Sequence, residues 1–260
     1  MTGSEAREVR ITARRVERRR RIMRLIILII IILLLLMSIV FAGASFLNRA
    51  GRFTINLDPE AFSKYGIAIS QTEDFEDPTI ILQGTALENM WNITQEWLLN
   101  KPDNKLYYVE EDPTLESYYD LDKVAGDHNG KDYIAYTFWI KNTGEKEIDY
   151  YGTLDIESAT KGADDAIRVM VFRNGVYTVY GKAPRNPDVP YANFAIDEFF
   201  LSRDVVTDFT HKNFKPGEKD RYTVVIWIEG WDPECVNDIM GGEVKLSMNF
   251  KVQGEAKARD

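Results

Sequence analysis

Hydrophobic positions follow two regimes along this chain. From Leu25 to Gly43 they are continuous: the run LIILIIIILLLLMSIVFAG carries no charge and almost nothing polar. At 1.5 Å per helical residue such a run spans about 28 Å, close to the hydrocarbon thickness of a bilayer. A helix destined for a soluble core keeps a polar stripe, and this one has none. The pattern predicts a single transmembrane helix over 25–43. After residue 52 the pattern turns to alternation with period two, the mark of strands.

The alternation marks strands at Phe53–Leu57, ended by Asp58-Pro59, and at Gly66–Ser70, with a short apolar run at Thr79–Leu82. Ala86–Leu99 fits helix and strand about equally. Leu106–Asp132 is acidic, rich in tyrosine and broken by Pro113 and Gly126, and reads as a surface excursion. The strongest strand is YIAYTFWIKN from Tyr133: both of its faces carry bulk, as a central strand requires. Ile148–Ser158, Ala166–Phe172 and Val176–Ala183 follow, the last two joined by Asn174-Gly175, a type I′ hairpin signal. Pro184–Pro190 holds three prolines and is no central strand. Asp204–His211, Arg221–Glu229 and Glu243–Val252 complete the set, with a turn at Pro216-Gly217. Closely spaced strands without alternating helices predict a mostly β domain, an antiparallel β-sandwich of immunoglobulin-like or jelly-roll topology.

Charge orients the apolar run. Nine arginines against Glu5, Glu8 and Glu17 give residues 1–24 a net +6, and the chain total of −9 leaves −15 for the remainder. Basic residues next to a span stay in the cytoplasm, so the C-terminal part faces outward. The expected order is a cytoplasmic arginine-rich segment (1–24), the span (25–43), a linker (44–52), an extracytoplasmic β domain (53–254) and a tail (255–260). The arginine block serves topology and rests on anionic membrane lipid. Ala42-Gly43-Ala44 is an A-x-A triplet, so cleavage after Ala44 would convert the anchored protein into a secreted one. The strongly acidic outer part excludes nucleic acid as its partner.

Cys235 is the one cysteine, so no internal disulfide supports the domain and its core must do so. It reads as a small buried residue, with an intermolecular bridge or a nucleophile as the functional alternatives. The two histidines, His128 and His211, stand in no zinc motif, and no nucleophile elbow or phosphate loop occurs.

The densest cluster of unusual residues is Trp231-Asp232-Pro233-Glu234-Cys235, followed by Asp238 and Gly241-Gly242. With Glu229, the carboxylates Asp232, Glu234 and Asp238 are candidate calcium ligands, since calcium prefers such oxygens. The same residues also spell a short helix: Asp232 as N-cap, Pro233 in the first turn, glycine at the end. Asp120-Leu121-Asp122 and Asp127 to Asp132 resemble a calcium loop, but Lys131 falls where an acidic ligand belongs and no glutamate closes the loop, which favours a polar turn. Trp91, Trp139, Trp227 and Trp231 offer either a carbohydrate platform or sheet packing. Asn92-Ile93-Thr94 is a glycosylation sequon. No catalytic residue and no cofactor is assigned.

The tail beginning at Asn213, NFKPGEKDRYTVVIWIEGWDPECVNDIMGGEVKLSMNF, with YIAYTFWIKNTG and AIRVMVFRNG, resembles uncharacterised cell-surface proteins of Gram-positive bacteria. Those pair an arginine-rich N-terminus and one span with a β ectodomain. In general layout the chain is distantly similar to the TasA/camelysin group of secreted β-sandwich proteins, some of which build matrix fibres. The uncharacterised group carries no activity to transfer, but the anchor, the sandwich pattern and the missing catalytic motifs point to a surface structural or interaction protein, self-assembling or binding a protein partner through sheet edges or loops. A sensor or accessory subunit and a carboxylate-dependent hydrolase using Asp232 and Glu234 are the other classes the sequence permits.

Overall fold

A computed structural model describes residues 23–38, 53–100, 121–186 and 195–255. The chain divides into two compact units, Met1–Arg49 and Ala50–Asp260. In the first, residues 23–38 form one helix, α1, whose large apolar side chains are all exposed. Among the described residues no helix is long and apolar enough to cross a membrane. The arginine segment up to residue 22 and the stretch 39–52, with the end of the expected span and the A-x-A triplet, lie outside the described residues.

The second unit is mostly β. Its first sheet has the order β10-β6-β12-β1-β3, built from Val205–Phe214, Ile148–Ala159, Val244–Glu255, Thr54–Leu57 and Ile81–Gln83. The second has the order β2-β5-β11-β7-β8-β9. It comprises Ile67–Ser70, Tyr133–Asn142, Lys219–Ile228, Ile167–Arg173, Val176–Gly181 and Glu198–Phe199, with β4 (Gly126–Asp127) paired to β5. One core joins the sheets. Alternate residues of each strand enter it: Ile134, Tyr136, Phe138 and Ile140 from β5, Tyr222, Val224 and Ile226 from β11, Tyr150 and Leu154 from β6, Met248 and Phe250 from β12.

The all-antiparallel expectation is corrected. β1 runs parallel to β12 and β8 parallel to β9, so both sheets are mixed. The first strand lies beside the last, where no hairpin dictates direction.

The second sheet is buried on both faces, as the bulk on both sides of β5 requires. Tyr133 and Ala135 of β5, Met170 and Phe172 of β7, and Val225 and Trp227 of β11 form a second core. Ile93, Leu98 and Leu121 cover it, Leu98 from helix α3 (Gln95–Asn100). Leu106–Asp132 is therefore not simply a surface excursion: Leu121 is core and Gly126–Asp127 is strand, while 106–120 lie outside the described residues.

Local turn chemistry places the remaining elements. Asp58 does more than end a strand: it accepts from the Glu60 N–H and caps helix α2 (Pro59–Tyr65), which has proline in its first turn. Gly66 closes α2 at φ 72°, and a Cβ there would lie 2.6 Å from the Gly144 nitrogen. The Asn174-Gly175 hairpin adopts the two positive φ angles its type requires, 52° and 90°. The fourth helix, α4, is a single turn at Ala163–Ala166.

Candidate interaction surface

The four tryptophans singled out in the sequence separate into two pairs. Trp139 and Trp227 lie inside the second sheet's packing, Trp227 at 0% exposure. Trp91 and Trp231 are 70% and 60% exposed. The exposed pair sits at one end of the second sheet, where β5 and β7 begin and β11 ends.

The backbone of each exposed tryptophan is held by a buried carboxylate. Trp91 donates its N–H to Asp132 Oδ1 at 2.9 Å, and Trp231 donates to Glu229 Oε1 at 3.2 Å. Asp132 and Glu229 are both buried. Oε2 of Glu229 also accepts from the Gln95 N–H and the Trp227 indole, each at 3.0 Å. The two loops are stitched together as well: Ile93 donates to the Ile228 carbonyl at 2.9 Å and accepts from the Gly230 N–H at 2.8 Å, in a parallel bridge with Glu229.

The stretch resembling a calcium loop supports the Trp91 side. Asp127 Oδ2 accepts from the Thr85 N–H at 2.6 Å, and Asn129 donates to the Thr85 carbonyl at 3.1 Å. Buried His128 faces the Gly126 carbonyl with Nδ1 at 2.8 Å and the Leu121 carbonyl with Nε2 at 2.9 Å. Burial pushes its pKa below the ordinary range, outweighing the two carbonyls and Asp127, which act the other way.

The calcium candidates each have protein partners or stand apart. Asp232 Oδ2 accepts from fully buried Arg168 at 2.6 Å, and Oδ1 from the Glu234 N–H at 2.8 Å. Glu234 Oε1 accepts from the Arg185 N–H at 3.0 Å. Burial raises the pKa of Glu234, and neighbouring Asp232 adds to the rise. Asp238 is exposed, and among the described residues no three His, Cys, Asp or Glu side chains come together as a metal site. The expected short helix from Asp232 is corrected to a series of turns holding one 3-10 turn at Asn237–Ile239. Asp232 caps as expected, but its second oxygen ties the segment back to β7 through Arg168. Cys235 is half-buried, and burial raises its thiol pKa, helped by Asp232 and Glu229. It therefore carries less thiolate than a free cysteine, the reverse of an activated nucleophile.

A second concentration of polar groups lies between the sheets. Asp220 accepts from Tyr150, from His211 Nδ1 at 2.5 Å, from Arg173 at 3.2 Å and from Asn174 at 2.6 Å. Tyr150 and Tyr222 share a hydroxyl contact at 2.8 Å, and burial pushes both phenol pKa values upward. Asp220, Tyr150 and Tyr222 are all buried, so the network ties β6, β7, β10 and β11 together and offers a substrate little access.

No family model and no curated protein sequence matches the chain. A solved structure similar over 78% of the chain, at 12% identity and a TM-score of 0.22, is beta-glucosidase from Kluyveromyces marxianus in complex with glucose. The chain spans 17% of that protein. A likeness this slight carries no argument about activity.

Proposed function

We propose that this protein is a membrane-anchored surface interaction module, a β-sandwich that meets its partner through the loop end bearing Trp91 and Trp231. The observation that carries the reading is the pinning of both exposed tryptophans by buried carboxylates. Burying a carboxylate is costly, and here the cost fixes the backbone of residues that stay largely exposed. Trp is the residue most enriched where binding energy concentrates, and a fixed loop loses little entropy on docking. The exposed apolar side chains of α1 support the anchor, since hydrocarbon is the solvent that suits them. The charge asymmetry across the apolar run supports the outward orientation of the domain.

The mode of contact follows from the edges. β3 has three residues and β9 two. The Thr79 hydroxyl occupies both backbone groups of Ile81, at 3.2 and 3.3 Å. Asp197 covers Val179 on β8, and β10 carries two register shifts and the charged residues Asp208 and Lys212. These are the devices by which sheets resist strand addition, so the loop end supports partner binding better than the edges do.

The test is photo-crosslinking on intact cells, with a benzophenone amino acid replacing Trp231 in the full chain. Val176, 75% exposed on the hairpin at the opposite end of β7, is the control position. A discrete crosslinked neighbour from position 231 and none from position 176 is expected. Capture from both positions alike, or from neither, would overturn the reading.

A further inference from the structure

The charge around the exposed tryptophans selects among partners. The loops that carry them, residues 85–96 and 229–243, contain no lysine or arginine and seven acidic residues. Glu229 and Asp232 are buried and committed to donors within the domain. Glu88, Glu96, Glu234, Asp238 and Glu243 remain, four of them exposed and Glu234 half-buried. Among the described residues, Lys161 donates to the Met240 carbonyl at 2.7 Å and Arg185 pairs with Asp165, while exposed Lys131 adjoins Asp132.

We infer that this surface binds a cationic polypeptide segment, its lysine or arginine side chains lying over the Trp91 and Trp231 rings with the carboxylate rim around them. The inference rests on the loop-end reading above and gives its partner a chemistry. An indole face attracts a cation through its quadrupole, more strongly for tryptophan than for any other side chain. The carboxylates accept N–H bonds and offer none, which suits ammonium and guanidinium groups. A neutral glycan would find donors in the exposed amides of Asn89, Asn92 and Asn237 but would leave the negative charge of the rim uncompensated. An anionic lipid surface or nucleic acid would be repelled. The net −15 beyond Arg24 would steer a cationic segment toward the domain over a distance set by salt.

The test is calorimetric titration of the full chain in detergent with a synthetic lysine- and arginine-rich peptide of about ten residues, at two salt concentrations, beside a neutral hexasaccharide. Saturable peptide binding is expected, weakened at least tenfold by Trp91→Ala/Trp231→Ala with net charge unchanged. Glu88→Gln/Asp238→Asn should weaken binding and flatten its salt dependence. All four positions are exposed, and an unchanged melting temperature confirms each fold. Equal peptide affinity in the tryptophan variant would mean attraction by general acidity alone and would overturn the inference. Absent peptide binding, or saturable binding of the hexasaccharide in its place, would overturn it as well. Either failure, with the position 231 crosslink intact, removes the cationic partner and leaves the loop-end surface standing.

Discussion

Arg168 shows how much of this domain's polar chemistry is structural. It is fully buried on β7 and is neutralised by Asp232, whose side chain is 4% exposed. Asp232→Ala removes the carboxylate 2.6 Å from this buried guanidinium, a change that typically costs about 3–5 kcal/mol. Replacing both partners with apolar residues of similar volume should recover most of that loss, because the desolvation penalty goes with the charges. Urea unfolding of the two variants checks the ordering. Two other buried groups set the response to acid. Burial holds the folded pKa of His128 down. Below about pH 6.5 the unfolded chain therefore binds a proton that the folded chain resists, and stability falls as pH drops through that window. Burial tends to raise the pKa of Asp220, but Tyr150, His211, Asn174 and Arg173 together hold it below the ordinary value. Its contribution is present above about pH 4 and is lost as pH falls further, through the depressed folded value. Stability measured against pH should show two separate declines, with His128→Asn flattening the upper one and Asp220→Asn the lower. A single decline untouched by His128→Asn would contradict the first assignment.

Among the elements, the strands from Tyr133 onward are legible because their signals are local: period-two alternation, turn residues and the Asn-Gly pair all sit within a few residues of what they specify. Helix α2 was legible in principle from Asp58-Pro59, a cap followed by a first-turn proline, but the same pair also reads as the end of a strand. Ala86–Leu99 could not be resolved locally, because Ile93 bridges Glu229 and the Gln95 N–H meets a carboxylate 134 positions away. For the same reason the acids of 229–238 looked available for calcium. The partner of Asp232 is 64 positions upstream, and nothing near Asp232 in the chain announces it. What the sequence did show of the site was its residue types, not which tryptophans would face out. Glu229→Ala tests the tertiary account. It removes the acceptor for Gln95, Trp227 and Trp231 at once, and each orphaned buried donor costs about 1–3 kcal/mol. Hydrogen exchange should rise at 91–97 and 229–231 well before it changes in β5 or β11. A uniform rise across the second sheet would mean that Glu229 supports the whole core rather than these loops.

At the scale of the molecule, the two sheets form one core while their margins are closed by different means. The chain from Thr79 to Gln83 passes from a bridge with Ile69 of β2 to a pairing with β1, and so crosses from the second sheet to the first. At the other margin β9 pairs with β8, and the Leu201 and Ser202 N–H groups then meet β10. Side chains cap two of the marginal backbone positions, the Thr79 hydroxyl at Ile81 and the Asp197 carboxylate at Val179, and two register shifts interrupt β10. An acidic surface adds repulsion between copies. Self-assembly by edge pairing should therefore be absent from the native protein and should emerge when the caps go. Thr79→Val/Asp197→Ala exposes both positions and removes one negative charge. In detergent the full chain should give no thioflavin response at concentrations where this double variant does. Fibres from the unmodified chain under the same conditions would show that the margins are open, and would return the edges to consideration as the route of assembly.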